Sequence, residues 1–189
     1  MTGKTHQVIG LTTGLATYLF STEPSYSPAT LGAVLVASHL LALLPDIDQP
    51  AATIYRQLPF GRAVGVVTSS FLEHRNLSHS LLGTALVGLG FHWLLHKMPG
   101  YWGITTHIVL IAGMAAYLSH LVADMVTVEG IPLFFPIQTM YGIPPRPFEG
   151  IRILTGHWFE NLVVFPLVNL ALLMLIYRNW PVIHQIIFH

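Results

Sequence analysis

The chain has 189 residues, which is enough for one domain and gives no reason to expect two. Hydrophobic residues make up 53% and charged residues only 8%, against roughly 25% charged in ordinary soluble domains, so a water-exposed surface is excluded and residues 1–189 read as a single integral membrane domain. The formal net charge is zero with no basic tract, which leaves a nucleic-acid partner without electrostatic support, and the absence of cysteine excludes disulfides and thiolate ligands.

Eleven histidines stand out in so lipophilic a chain. Imidazole is costly to bury without a partner, so each needs a hydrogen bond, an interface position or a metal. With no thiolates, any metal must be held by His, Asp or Glu. The start, Met1-Thr2-Gly3-Lys4-Thr5-His6, is too brief for the basic region of a cleaved signal peptide, so the first apolar run is expected to be retained.

Five apolar runs are expected to cross, or nearly cross, a hydrocarbon core that needs about 20 residues. They are His6–Phe20, Thr30–Leu44, Ser78–His96, Trp102–Val126 and Asn161–Tyr177, giving an all-α bundle of about five helices. The first two are rich in Gly, Ala and Thr, which suits close helix packing better than lipid exposure. Pro45 and Pro99 mark stops, since proline cannot continue the hydrogen-bond ladder. Two long connections, Pro45 to Leu77 and Thr127 to Glu160, fall on one side and should be partly structured. In the first, Gly61–Glu73 is expected to form an amphipathic helix in the interface; in the second, Ile131–Pro136 should pack in or near it. If the helices alternate, Lys4, Arg56, Arg62, Arg75, Arg146 and Arg152 share one side and Lys97 and Arg178 the other, which places the N-terminus in the cytoplasm.

Polar motifs collect at the ends of these runs. His6 opens the first, with Thr5 as the expected N-cap. Leu44-Pro45-Asp46-Ile47-Asp48-Gln49-Pro50 follows the second; in an extended backbone its alternate carboxylates would face a common cation, and the bland alternative is a turn with solvated Asp side chains. His74-Arg75-Asn76-Leu77-Ser78-His79-Ser80 precedes the third and joins two imidazoles to a guanidinium suited to a phosphate or carboxylate. Ser78 reads as the N-cap of that helix. His120 and Asp124 close the fourth run four residues apart, about 5–6 Å at Cβ on one helical face. An up-down bundle brings all these ends to one side and leaves His92, His96 and His107 on the other. His39 reads as a histidine hydrogen-bonded between helices, with a deeper ligand as the alternative. Glu160 reads first as a carboxylate favoured by its own helix dipole. Thr127 and Gly130 are expected to shape the turn after Asp124.

In order, Thr5-His6, Leu44-Pro45-Asp46-Ile47-Asp48-Gln49-Pro50, His74-Arg75-x-x-Ser78-His79-Ser80 and Tyr117-Leu118-Ser119-His120-x-x-x-Asp124-x-x-Thr127-x-x-Gly130 resemble the YdjM/YbcI-type membrane-bound metal-dependent hydrolases of bacteria. The similarity continues through Ile131-Pro132-Leu133 and Arg152-Ile153 to Glu160. It implies a multi-pass inner-membrane protein, assigned as a hydrolase, with metal-binding His and Asp at these positions. It supplies no substrate. Family members carry Gly-x-Thr-His-Ser where this chain has Asn76-Leu77-Ser78-His79-Ser80, which keeps the hydroxyl and loses the glycine.

The expected function is hydrolysis through a metal-activated water, with one or two divalent cations on His6, Asp46, Asp48, His79, His120 and Asp124. Mixed imidazole and carboxylate ligands favour zinc or manganese, with magnesium behind them and calcium disfavoured. Six candidate ligands exceed the three of one catalytic zinc and hint at two metals. A bridging Asp or Asp48 is the expected proton acceptor, and Asp48, His74 and Arg75 form the expected catalytic set. Arg75, with Arg152 as a weaker candidate, would hold an anionic group. A site at headgroup level points to a phospholipid or other amphiphilic phosphoester as substrate, with the lipid bilayer as surroundings. The rival readings are a non-catalytic membrane protein with a structural metal, and an ion or proton transporter.

Overall fold

The computed structural model describes residues 1–21, 27–48 and 77–188, without the side chain of Asp48. The interface helix expected over Gly61–Glu73, and His74 and Arg75, lie outside the described residues. Among the described residues the chain is all-helical: α1 Gly3–Leu19, α2 Pro28–Leu43, α3 Leu81–His96, α4 Thr106–Met125, α5 Phe165–Arg178 and α6 Trp180–Phe188. Among the described residues three helical stretches are long and apolar enough to cross a membrane, Pro28–Ile47, Thr106–Met125 and Glu160–Arg178.

The helix boundaries follow local chemistry, and several differ from expectation. α1 begins at Gly3, so Thr2 and not Thr5 is its N-cap. Along it Thr12, Thr13 and Thr17 return their hydroxyls to carbonyls four residues back, at 2.7–2.9 Å, which satisfies them in an apolar setting. α2 starts earlier than Thr30 because Ser27 accepts from Thr30 N–H at 3.0 Å and Pro28 fits the first helical position. Pro45 does not end the second helix in an extended strand: Leu44–Asp48 winds into a 3-10 turn, so the alternation argument for Asp46 and Asp48 does not apply. Ser80, not Ser78, caps α3, accepting from Gly83 N–H at 3.0 Å and donating to the Leu77 carbonyl at 2.7 Å. Trp102 stands in a separate 3-10 turn before α4. Ahead of α5 lies a π-helical turn, Glu160–Val164, where Pro166 removes an N–H and crowds the carbonyl four residues earlier, widening the preceding turn. α6 lies beyond the last run expected from the sequence, which ends at Tyr177; it starts after Asn179 and buries Ile183 and Ile186.

α4 is the hub, packed against α1, α2 and α3. Close approach of α1 and α2 depends on small residues: a Cβ on Gly10 would overlap Ala42, and one on Gly14 would overlap the Ser38 side chain. α5 packs on α1 yet buries none of its own residues, and exposes Leu167, Leu170 and Leu173, as a lipid-facing helix does.

The long connection after α4 is built back onto the bundle. The last carbonyls of a helix lack intrahelical partners. Here Thr127 N–H and Oγ1 reach Asp124 O at 3.0 and 2.7 Å, Ile143 N–H reaches Met125 O at 2.7 Å, and Ile153 N–H reaches Val126 O at 3.0 Å. Gly130 turns the chain with φ +66°, where a Cβ would strike the Tyr141 carbonyl. Ile131 is fully buried and exchanges two backbone hydrogen bonds with Tyr141, while Leu133 O accepts from Leu81 N–H at 3.0 Å at the start of α3. This one segment therefore ties the end of α4 to the beginning of α3.

Candidate metal centre

Two turns and two helix ends supply the polar cluster. Asp46 comes from the 3-10 turn after α2, His79 from the turn before α3, and His120 and Asp124 from the last turns of α4. One nitrogen or oxygen from each of these four residues lies within 4.8 Å of all the others, and all four residues are buried. His79 Nε2 is 3.7 Å from Asp46 Oδ1 and 3.5 Å from Asp124 Oδ2; His120 Nε2 is 3.7 Å from each. Four ligands at 2.0–2.2 Å around a tetrahedral ion stand about 3.3–3.6 Å apart, so this spacing suits a single small cation.

Each imidazole is aimed by its other nitrogen. His120 Nδ1 donates to the Ala42 carbonyl of α2 at 2.7 Å, which puts its proton there and turns the Nε2 lone pair to the cluster. His79 Nδ1 sits 3.1 Å from Ser78 Oγ. The backbone under His79 is pinned by Tyr117, whose hydroxyl donates to the Ser78 carbonyl, and by Gly83, where a Cβ would overlap Leu77 O. Among the described residues His79 Nε2 and His120 Nε2 have no hydrogen-bond partner, and neither side chain has water-exposed surface. A buried unpartnered ring nitrogen costs stability, and one beside two buried carboxylates marks a place for a cation. The mixed imidazole and carboxylate donor set could hold a metal ion.

His6 joins the cluster from α1. It is fully buried, and its ring stacks on His120 with centroids 3.6 Å apart. Its Nε2 approaches Asp124 Oδ1 to 3.0 Å, the oxygen that the Met1 ammonium also contacts. The two oxygens of Asp124 thus face different neighbours, Oδ1 toward His6 and Oδ2 toward His79 and His120.

Other candidates are placed elsewhere. His39 is half-buried and meets Gln7 Nε2 at 3.0–3.1 Å between α1 and α2, the interhelical role expected of it. Arg152 donates to the Pro144 carbonyl at 2.8 Å and lies over Gly142, bracing the long connection. Glu160 is fully buried and accepts from Thr2, Thr5 and Gly156, so it serves α1 as well as its own helix. Sequence reasoning gave no role to the Ala42 carbonyl or the Tyr117 hydroxyl, and gave Glu160 only its own helix. Tyr117 and Glu160 had a signal, because both stand in the stretches that carry the family resemblance; Ala42 had none.

A family model described as YdjM inner membrane protein matches residues 1–185. Inner membrane protein YdjM of Escherichia coli (strain K12) is 33% identical over 117 residues, 59% of this chain and 53% of that protein. The chain therefore spans about half the length of that relative. Uncharacterized protein YvsG of Bacillus subtilis (strain 168) is 33% identical over 165 residues, 87% of this chain and 88% of that one. No solved structure matches. With the match running through every helix that contributes to the cluster, the chain belongs to the YdjM inner membrane protein family.

Proposed function

We propose that the protein is a metal-dependent hydrolase of a phosphoester or phospholipid headgroup, working at the cytoplasmic face of the bacterial inner membrane. The observation that carries this reading is the pair of buried, unpartnered Nε2 atoms of His79 and His120 facing the carboxylates of Asp46 and Asp124. Two carboxylates withdrawn from water and held within 4.8 Å of one another need positive charge between them. A divalent ion there would supply that charge, polarise a phosphoryl oxygen and acidify water. Asp46, Asp124, His79 and His120 would hold it, and His6 with Asp124 Oδ1 offers the place for a second.

The protein's own groups divide the remaining work. His120 is held in one tautomer by Ala42. Of the four clustered residues only Asp46 shows exposure, at 9%. Asp48, two residues on, is the proposed proton acceptor. Arg75, four residues before His79, is proposed to hold the anionic group, with His74 beside it. The cytoplasmic orientation rests on the excess of Lys and Arg on the site's side.

The test is metal analysis of protein in lipid nanodiscs, followed by a panel of phosphoesters and phospholipids with and without chelator. Turnover should vanish with chelator, return with zinc or manganese, and be absent in Asp48→Ala and His79→Ala. Metal retained with no ester turned over would favour a structural metal instead.

A further inference from the structure

We propose that Glu160 is a positioning residue that fixes His6 at the metal centre by completing the N-cap of α1 from another helix. The proposal rests on the metal reading above and deepens it.

Helix N-termini present N–H groups without intrahelical partners, and a common solution pairs a Ser or Thr N-cap with a Glu three residues later, whose carboxylate returns to the N-cap N–H. α1 has the first half only. Thr2 is the N-cap, the residue three on is Thr5, no acid occurs in the first turn, and the Thr2 side chain makes no hydrogen bond to a backbone N–H. The missing carboxylate comes from Glu160, at the start of the π-helical turn that leads into α5. Its Oε1 accepts from Thr2 N–H at 2.7 Å, Thr2 Oγ1 at 2.8 Å and Thr5 Oγ1 at 2.6 Å, while Oε2 accepts from Gly156 N–H at 2.7 Å. The side chain is fully buried, and every contact is a donor to it, as an ionised carboxylate requires.

The consequence falls on the next residue. Thr5 and His6 are consecutive on the first turns of α1, and His6 must sit with its ring 3.6 Å from His120 and its Nε2 3.0 Å from Asp124. Holding the hydroxyl of Thr5 and the backbone of Thr2 sets both the rotation and the height of α1 against α4. α5 has no buried residues of its own, so its attachment at Glu160 gives that helix a role at the centre that packing alone does not.

The test measures zinc binding in nanodiscs for Glu160→Ala, Glu160→Gln and Thr5→Val, each alone and combined with His6→Ala, together with amide exchange over residues 2–7. Glu160→Ala should weaken zinc binding about 10–100-fold, the range for loss of a partner that orients a ligand. Glu160→Gln, which can keep the three donors on Oε1 but opposes Gly156 N–H with its amide, should fall between. Combined with His6→Ala, Glu160→Ala should add less than about twofold, because its effect runs through that imidazole. Exchange at residues 2–7 should rise in Glu160→Ala. Wild-type affinity in Glu160→Ala, or an equal loss with and without His6, would overturn the proposal. A wild type that binds no zinc would sink the metal reading, and unchanged exchange in Glu160→Ala would separately sink the cap.

Discussion

At one end of the bundle His6, His79 and His120 are fully buried, and the Nε2 atoms of His79 and His120 meet no hydrogen-bond partner among the described residues. At the other end His92, His96 and His107 are exposed, and His96 Nδ1 lies 3.2 Å from the His92 carbonyl of its own helix. Both ends carry imidazoles, so residue type alone does not make a site. What differs is convergence with carboxylates. The chain has only three aspartates, and Asp46 and Asp124 stand among the buried imidazoles. The far end is closed instead by apolar packing of Leu19, Leu95, Ile108 and Ile183, with Tyr101, Trp102 and Trp180 exposed as an interfacial aromatic belt.

The sharpest way to break this contrast is to remove one member at each end. Asp124→Ala takes away the residue shared by His6, His79 and His120, and metal affinity measured by calorimetry should fall by more than about 100-fold, beyond the loss typical of an indirect partner. The double variant His92→Ala, His96→Ala should bind as the wild type does. Equal losses at the two ends would erase the distinction.

Chelation is the next largest effect. A ligand present at about 100 times its dissociation constant stabilises the folded state by about 2.7 kcal/mol. Thermal unfolding in nanodiscs should therefore drop by several degrees on metal removal, and the far-end double variant should show the same drop.

Packing separates the bundle's interior from its lipid face in the same manner. Gly14→Val would force a side chain into Ser38 and should cost about 1–3 kcal/mol. Gly32→Ala, which meets nothing within 4 Å, should be neutral or slightly stabilising in the same melts. Smaller still, Ser80→Ala removes the cap of α3 beside His79 and should cost about 1 kcal/mol, read as an earlier midpoint with the fold retained.

Much of this arrangement was legible in the residues. Spacing put His120 and Asp124 on one helical face, and up-down alternation carried Asp46, His79 and His6 to the same end. The turn made by Thr127 and Gly130 was readable because one hydroxyl-bearing residue and one positive-φ glycine suffice to make it. The rest depended on contacts that sequence periodicity does not encode. Pro45 was read as a stop into extended chain, whereas the backbone tightens into a 3-10 turn. Ser78 was expected to cap α3, whereas Ser80 does so, and Gly83, whose missing Cβ leaves room for the Leu77 carbonyl, lets the turn close there. Glu160 was assigned to its own helix because dipole arguments are local, while its partners Thr2 and Thr5 lie 155 or more residues away. α6 was not expected because its nine residues are too short for a membrane-crossing run, yet Pro181 is tolerated in the first turn of a new helix.

The most direct measurement is X-ray absorption at the zinc edge on protein purified in lipid, loaded with one equivalent of metal. Nitrogen and oxygen neighbours at about 2.0–2.2 Å are predicted, with the imidazole signature reduced in His120→Ala and unchanged in the His92→Ala, His96→Ala variant. Protein that retains no metal, or a spectrum indifferent to His120, would contradict the account.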